Sequence, residues 1–443
     1  MALLADLYEF TMADAYVSLG KNGPATFDLF VRKLPPERGY LVAAGLADAL
    51  EYVLGLKFSP ESLSYLESLK KFSPAFLKFL SNYRFSGDIW AMPEGTVAFG
   101  NEPLMRITAP IAEAQILESF LLNCIGFQTM IASKAARVVL SARGKPVMDF
   151  SLRRDHGTDA GMKVARASYI AGFSGTSNVL AGKTYGIPLS GTLAHSFVLS
   201  FDDEEEAFRA WAEKNPENCV LIIDTFDTIP GARKAVKIGK ELDAKGCKLA
   251  GVRIDSGDPV ILGRRVRATL DEGGFSGAKI YLSGNLDECV IEKVLANGAP
   301  IDAFGVGTAM GVSDDAPSLD IIHKLAEATV GGKLVPVMKL SEGKATLPGV
   351  KQVFRREEDG KLLRDTVGLA GEKVDGAPLM EQFVSGGTLS RKVETLEEAR
   401  KRASEGIARL PANVRRLAGP APYRVDLSEG LSGLIDELKR KRM

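Results

Sequence analysis

The chain has 443 residues and is poor in several things at once. Histidine occurs three times, tryptophan twice and cysteine four times, and aromatic residues make up only 7%. Charge of one sign is also missing, because 56 Lys and Arg balance 56 Asp and Glu. A neutral chain without blocks of like charge lacks the electrostatic footprint of a general nucleic-acid binder. Cys124, Cys219, Cys247 and Cys289 form neither a CxxC pair nor a disulfide framework, which fits buried thiols in a reducing cytosol. No uncharged apolar run reaches the roughly 18–20 residues needed to cross a bilayer. The best candidate, Ile107 to Phe127, is interrupted by Glu113 and Glu118. MALLADLYEF carries Asp6 and Glu9 where a secretory leader would be basic, so a cytoplasmic protein is expected. With 45% hydrophobic and 25% charged residues, disorder is excluded as well. What remains is a large α/β enzyme-like chain, long enough for about three domains or one barrel with an appendage.

From about residue 147, short apolar runs alternate with helical patterns. The runs are VMDFS (147–151), IPLSGT (187–192), CVLIIDT (219–225), LAGVRIDS (249–256), AKIYLSG (278–284) and AFGVGT (303–308). Between them, GARKAVKIGKELDAK, PVILGRRVRATLDEG and LDECVIEKVLANG have helical spacing and end near a glycine. Strand–helix–strand alternation predicts parallel strands joined by crossover helices. A (β/α) barrel and a doubly wound open sheet both satisfy this. Polar residues at the ends of several strands favour the barrel, whose reactive rim is assembled from many strand ends. The fold expected is therefore α/β, an irregular (β/α) barrel of parallel strands with a split N-terminal α+β open-sandwich domain.

The domain boundaries follow the same pattern. Residues 1–140 form an N-terminal α+β domain, with an alternating strand at ATFDLFVRKLP and two or three antiparallel strands in DIWAMPEGTVAFGNEPLMRITAP. Residues 141–330 form the barrel-like catalytic domain. In 331–443, LVPVMKLS and VKQVFRR are expected to rejoin the N-terminal sheet, followed by a charged helical tail that includes LIDELKRKRM.

Chemistry concentrates at the strand ends. In GVRIDSGDP, Arg253 and Asp255 stand two apart and so share a face, suiting a ligand with anionic and hydroxyl groups. Gly305, Gly307 and Thr308 of AFGVGTAM follow the last apolar run, where backbone N–H groups can approach a phosphate. Ser283, Gly284 and Asn285 repeat that pattern one strand earlier. Arg153 and Arg154, side by side after DFSL, repel one another unless an anion lies between them. Arg32 and Lys33 form a second basic pair in the N-terminal region, with an exposed basic edge strand as the alternative explanation. Of the three histidines, His323 sits on a helical pattern and reads as structural. His195 of GTLAHSF and His156 of RRDHGTD have equal claims on residue chemistry alone. No HExxH, GxSxG, Walker A or strand-linked GxGxxG is present, which removes metalloprotease, α/β-hydrolase and Rossmann dehydrogenase readings.

At these residues the chain resembles nicotinate phosphoribosyltransferases, a family of type II phosphoribosyltransferases. The resemblance is carried in order by LLADLYEFTM, FVRKLP, PEGTVAFGNEPL, EAQILESFLLNCIGFQTMIASKAAR, DFSLRR, GTSNVLAG, GTLAHSF, GVRIDSGDP, FGVGTAM and MKLSEGKATLPGVKQVFR. It spans residues 3 to 356, with a weaker echo at LPANVRRL and YRVDLSEGL. One small departure is Ala5, where many relatives have Thr. The resemblance implies formation of nicotinate mononucleotide and diphosphate from nicotinate and phosphoribosyl diphosphate, an ATP-coupled ligase-type step of NAD salvage that uses Mg²⁺. It implies a phosphorylated His195, and with it settles the choice against His156. It places Tyr8 and Phe150 on the two faces of the pyridine ring, with Tyr8 and Arg32 supplied by the partner of a homodimer whose active sites lie at the interface. Arg153, Arg253 and Asp255 are implied around the ring and ribose, and Ser283, Gly284, Gly305, Gly307 and Thr308 around the 5′-phosphate. Asp224 or Asp255 is the candidate Mg²⁺ ligand. Ser177 stands where related nicotinamide-using enzymes carry Asp, which implies a preference for the nicotinate carboxylate.

Three rivals make different demands. Quinolinate phosphoribosyltransferase is a shorter chain that needs extra basic residues and lacks GTLAHSF. A barrel that has lost catalysis has no reason to keep Arg153, His195, Arg253 and Asp255 together. An aldolase requires a Schiff-base lysine at a strand end, and none of the six runs ends in one.

Overall fold

The computed structural model describes residues 1–341 and 344–441. Glu342 and Gly343 of the MKLSEGK segment, and Arg442 and Met443 of the tail, lie outside the described residues. The chain divides into two compact units, Lys134–Pro317 and the combination of Met1–Ser133 with Ser318–Met443.

The Lys134–Pro317 unit is built on six parallel strands: β1 (Val147–Asp149), β2 (Gly175–Thr176), β3 (Cys219–Ile222), β4 (Leu249–Ile254), β5 (Lys279–Leu282) and β6 (Ala303–Val306). Their order across the sheet is β2-β1-β6-β5-β4-β3. That is chain order wrapped round on itself, as in a barrel, but the ring is not closed between β2 and β3. The expected irregular barrel is thus a half-barrel, a parallel sheet left open on one side. IPLSGT, read from sequence as a full strand, supplies only one bridge, Leu189 to Thr176. Pro188 has no N–H to donate and contributes only its carbonyl to Thr176 N, so a ladder cannot extend there. β2 itself falls in GTSNVLAG, which lacks the apolar run that marks the other strands.

β3 is buried along its whole length, as are Val252 and Ile254 of β4, Ile280 and Leu282 of β5, and Phe304 and Val306 of β6. Covering both faces of a parallel sheet demands such unbroken apolar runs. Three crossover helices start on aspartate caps shortly after a strand ends. Asp227 accepts from Ile229 N, Asp258 from Val260 N and Ile261 N, and Asp287 from Val290 N. The helix Thr228–Asp243 then buries Ile229, Ala232, Ala235, Ile238 and Leu242 at three- and four-residue spacing. Short loops between strand end and cap leave the rim residues little freedom.

The discontinuous unit carries a seven-stranded sheet in the order 333–336, 321–330, 24–31, 103–110, 88–91, 381–385, 388–389, with antiparallel neighbours throughout. Three expectations are corrected here. LDIIHKLAE is not helical: it enters the strand Ile321–Val330, in which His323 pairs with Leu29. VKQVFRR does not rejoin this sheet but forms Lys351–Glu358 of a separate four-stranded sheet with Lys361–Leu369. Nor does Pro24–Val31 alternate, since seven of its eight residues are buried. Strands on both sides and cover on both faces override the polarity of Thr26 and Asp28. The core centres on Phe10, packed edge-on to Phe58 and Phe72, with Phe76 close by.

Candidate active site

The rim formed by the C-terminal ends of the parallel strands gathers most of the residues singled out from sequence. A cleft of about 290 Å³ is lined by Phe150, Leu152, Arg153, Ser177, Gly191, Thr192, Leu193, Ala194 and Arg253. Beneath it a recess of about 40 Å³ reaches Ser283 and Gly305 between the strand ends. Gly305 lets the Phe150 ring lie over the sheet, because a Cβ there would stand 2.4 Å from Phe150 Cε2. Gly284 is fixed by a different contact: at φ +87° its Cα hydrogen faces the Asp255 carbonyl, where a Cβ would be at 2.0 Å.

Arg253 and Asp255 do share a face. Arg253 Nη2 stands 3.3 Å from Asp255 Oδ1, while Nη1 donates to Thr192 Oγ1 at 2.5 Å. Ser283 Oγ also donates to Asp255 Oδ1, tying the β5 exit to the β4 exit. Arg153 and Arg154 are exposed after β1, and Gly307 and Thr308 open the short turn Thr308–Gly311 after β6.

His195 begins a one-turn helix, His195–Val198, with its side chain about one-third exposed. Its Nδ1 lies 3.0 Å from Thr225 Oγ1, and its Nε2 lies 3.8 Å from Asp224 Oδ1. Asp224 is deeply buried. Oδ2 accepts from Asp255 N at 2.8 Å and Ser256 Oγ at 2.6 Å, whereas Oδ1 has no hydrogen-bond partner. A buried carboxylate oxygen without a donor is costly unless something cationic or protonated arrives to meet it. The imidazole of His195 is the group in position to do so.

The other histidines separate cleanly from this one. His156 is exposed in the loop after β1. His323 is buried in the antiparallel unit, stacked flat on Phe27 at 4.6 Å. Tyr8 and Arg32 belong to that unit too. Tyr8 is 45% exposed on the helix Leu7–Ser18, and burial together with Glu118 holds its hydroxyl well above the usual tyrosine range. Arg32 lies 3.5 Å from Asp320.

Asp149 was missed from sequence. Its Oδ1 accepts from Ser151 N at 2.9 Å and Ser151 Oγ at 2.6 Å, and its Oδ2 accepts from Thr176 Oγ1 at 2.7 Å. Burial pushes its carboxyl upward against these hydrogen bonds. A carboxylate in the middle of the apolar run VMDFS was the available signal. Thr225, which orients His195, gave none beyond its place beside Asp224.

Among the described residues, no group of three or more His, Cys, Asp or Glu side chains could hold a metal ion. That donor set suits Mg²⁺ only in its usual manner, with one or two carboxylates and the remaining ligands from phosphate and water. Asp224, whose Oδ1 accepts no hydrogen bond, and Asp255 are the carboxylates at hand. No helix among the described residues is long and apolar enough to cross a membrane.

The parallel sheet and its basic, carboxylate-bearing rim define an α/β protein whose charged side chains gather at strand ends. The family is more specific. The nicotinate phosphoribosyltransferase N-terminal domain matches residues 3–126, the nicotinate phosphoribosyltransferase family residues 146–367, and the corresponding C-terminal domain residues 368–435. Nicotinate phosphoribosyltransferase pncB2 of Mycobacterium tuberculosis is 46% identical over 440 residues, covering 99% of this chain and 94% of the relative. Nicotinate phosphoribosyltransferase of Bacillus subtilis is 37% identical, over 97% and 93%. The crystal structure of human nicotinic acid phosphoribosyltransferase superimposes with a TM-score of 0.86 at 29% identity, over 98% of this chain and 100% of that one. The chain belongs to the nicotinate phosphoribosyltransferase family.

Proposed function

We propose that the chain catalyses transfer of the phosphoribosyl group from phosphoribosyl diphosphate to the ring nitrogen of nicotinate, releasing diphosphate. The observation that carries this reading is a cleft lined together by Phe150, Arg153, Ser177 and Arg253. Phe150 offers a flat face for a pyridine ring. Arg153 and Arg253 supply guanidiniums for anionic groups, and Ser177 is a small donor suited to a carboxylate. Displacement at the anomeric carbon proceeds through an oxocarbenium-like state, so positioning and charge complementarity do the catalysis. Asp255 is the carboxylate for the ribose and its developing positive charge. Ser283, Gly284, Gly305, Gly307 and Thr308 form the seat for the 5′-phosphate. Mg²⁺, when bound with diphosphate, supplies neutralisation of its charge, with Asp224 or Asp255 as protein ligand.

ATP coupling through His195 belongs to the same reading. Thr225 Oγ1 stands beside Nδ1 and Asp224 Oδ1 faces Nε2, an arrangement that holds the imidazole in place as the acceptor of a phosphoryl group. A cytoplasmic homodimer with sites completed by Tyr8 and Arg32 accords with the exposed apolar residues Leu3, Leu4, Leu7 and Tyr8 at the N-terminus. The test is incubation with γ-labelled ATP, with nicotinate mononucleotide measured in parallel. An acid-labile label at His195, absent from His195→Ala, is expected. A label elsewhere, or one retained in the variant, refutes the phosphohistidine; no nicotinate mononucleotide refutes the reaction.

A further inference from the structure

Beyond β1 lies a chain of three side-chain oxygens that the reaction does not use directly. Ser151 Oγ stands 2.6 Å from Asp149 Oδ1 and 3.1 Å from Asp155 Oδ2. Two hydrogen bonds in that chain need two protons, and the serine hydroxyl has only one. Asp149 already receives Ser151 N and Thr176 Oγ1 besides the hydroxyl, so its demand for donors is met. Asp155 is the poorer acceptor site: its Oδ1 is buried with no partner. An ionised carboxylate with a bare buried oxygen, beside a second carboxylate, is the unfavourable state.

The chain also sits where it can act. Asp149 links the β1 exit, which presents Phe150 and Arg153, to the β2 exit, where Ser177 N donates to the Asp149 carbonyl at 2.9 Å. Asp155 closes the same loop two residues after Arg153. Gly311, at the end of the turn opened by Thr308, packs against it so closely that a Cβ there would meet Asp155 Oδ1 at 2.2 Å and Ser151 Cβ at 2.5 Å.

We propose that Asp155 is a positioning residue: when protonated it donates to Ser151 Oγ, which donates to Asp149, and this latch fixes the loop that offers Arg153 to the nicotinate carboxylate. The inference rests on the function proposed above. Loss of the Asp155 proton breaks the second link and leaves two carboxylates facing each other across one hydroxyl. Burial, and then Asp149, push Asp155 up to about 6, so the latch loosens as pH rises through that value. The charge that acts on Asp155 is Asp149. The helix Thr158–Ile170, with charged residues Asp159, Lys163 and Arg166, meets it through Gly161, and the turn Thr308–Gly311 meets it through Gly311. Its own segment adds Arg153, Arg154 and His156.

The experiment is steady-state kinetics of the full-length enzyme between about pH 5.5 and 7.5, with saturating phosphoribosyl diphosphate, on wild type, Asp155→Asn and Ser151→Ala. In wild type, KM for nicotinate is expected to rise about fivefold across this range while kcat changes little. Asp155→Asn, whose amide donates to Ser151 at every pH, should hold the low KM throughout. Ser151→Ala should show the high KM throughout. Gly311→Ala, which displaces Asp155 without altering charge, provides a second route to the high, flat profile. A residue with only a structural role would shift the thermal midpoint and leave the shape of the KM profile intact. The proposal is overturned if Asp155→Asn retains the wild-type profile, or if wild-type KM does not vary. Absence of nicotinate mononucleotide from wild type at every pH instead defeats the functional reading itself.

Discussion

In the antiparallel unit Arg355 lies against Asp365 at 2.5 Å, with 7% and 0% of the side chains exposed, and Lys351 meets Asp28 at 2.6 Å, both nearly fully buried. At the rim of the parallel sheet Arg153 and Arg154 are exposed, His195 is part-exposed and Asp224 keeps an oxygen without a donor. The same residue types thus serve opposite ends. In the first region both pairs are closed within the chain and out of reach of any ligand, although Asp28 Oδ1 keeps no hydrogen-bond partner, so their worth is structural. At the rim charges are left partly unanswered, which weakens the free protein and leaves the arginines able to attract an anion and Asp224 a cation.

The sharpest way to break this comparison is to disturb one charge in each region. Arg355→Met leaves Asp365 buried beside Glu102, whose carboxyl is already held well above its ordinary range by burial and by Asp365. A loss of about 3–5 kcal/mol in chemical denaturation is expected, with kcat of the folded fraction unchanged. Arg253→Ala should do the reverse, lowering kcat/KM about 100-fold while moving the thermal midpoint by only a few degrees. If Arg253→Ala proved the more destabilising of the two, the division between answered and unanswered charge would fail.

A finer test stays at the rim. Ser177→Asp sets a like charge against the nicotinate carboxylate and should cut nicotinate kcat/KM about tenfold or more, exceeding any gain with nicotinamide. Unchanged kinetics would remove Ser177 from the substrate's surroundings. The smallest effect concerns Glu9, a fully buried carboxyl that burial raises to about 7, although Ser119 hydrogen bonds oppose the shift. Its folded form therefore binds a proton more tightly than the unfolded chain does. The stability it contributes is complete below its ordinary value near 4.5 and is lost as pH rises through about 7. Thermal midpoints of Glu9→Gln, measured across that window, should fall less steeply than wild type.

Legibility from sequence followed the same division. The parallel strands were readable because cover on both faces forces unbroken apolar runs, as in CVLIIDT and LAGVRIDS, and because Asp227, Asp258 and Asp287 announce the helices. Arg253 and Asp255 were placed on one face by strand periodicity alone. What failed was pairing. LDIIHKLAE has spacing that serves a helix in isolation, yet Leu29 and its neighbours in the Pro24–Val31 strand claim it as a partner. Closure of the barrel failed at IPLSGT because one proline removes a donor, a local detail that strand counting ignores. Asp149 stayed hidden because a buried carboxylate at a strand end reads as a boundary rather than a hub. The choice of His195 over His156 rests on family resemblance, because strand patterns do not reveal that Asp224 and Thr225 lie beside His195.

The pairing of Ala25 with Ala328 also has a consequence for synthesis. The strand Pro24–Val31 leaves the ribosome early, but one of its two sheet neighbours follows about three hundred residues later. At roughly 5–20 residues per second the wait lasts on the order of tens of seconds. Meanwhile the Lys134–Pro317 unit is contiguous and has all six of its strands before that neighbour emerges. The segment made second is therefore free to fold first, and the early strand, buried on both faces in the finished fold, must be kept from wrong partners until its own arrives. A newborn chain is thus most exposed to aggregation at its beginning, and slowing translation after residue 317 should lower the soluble yield.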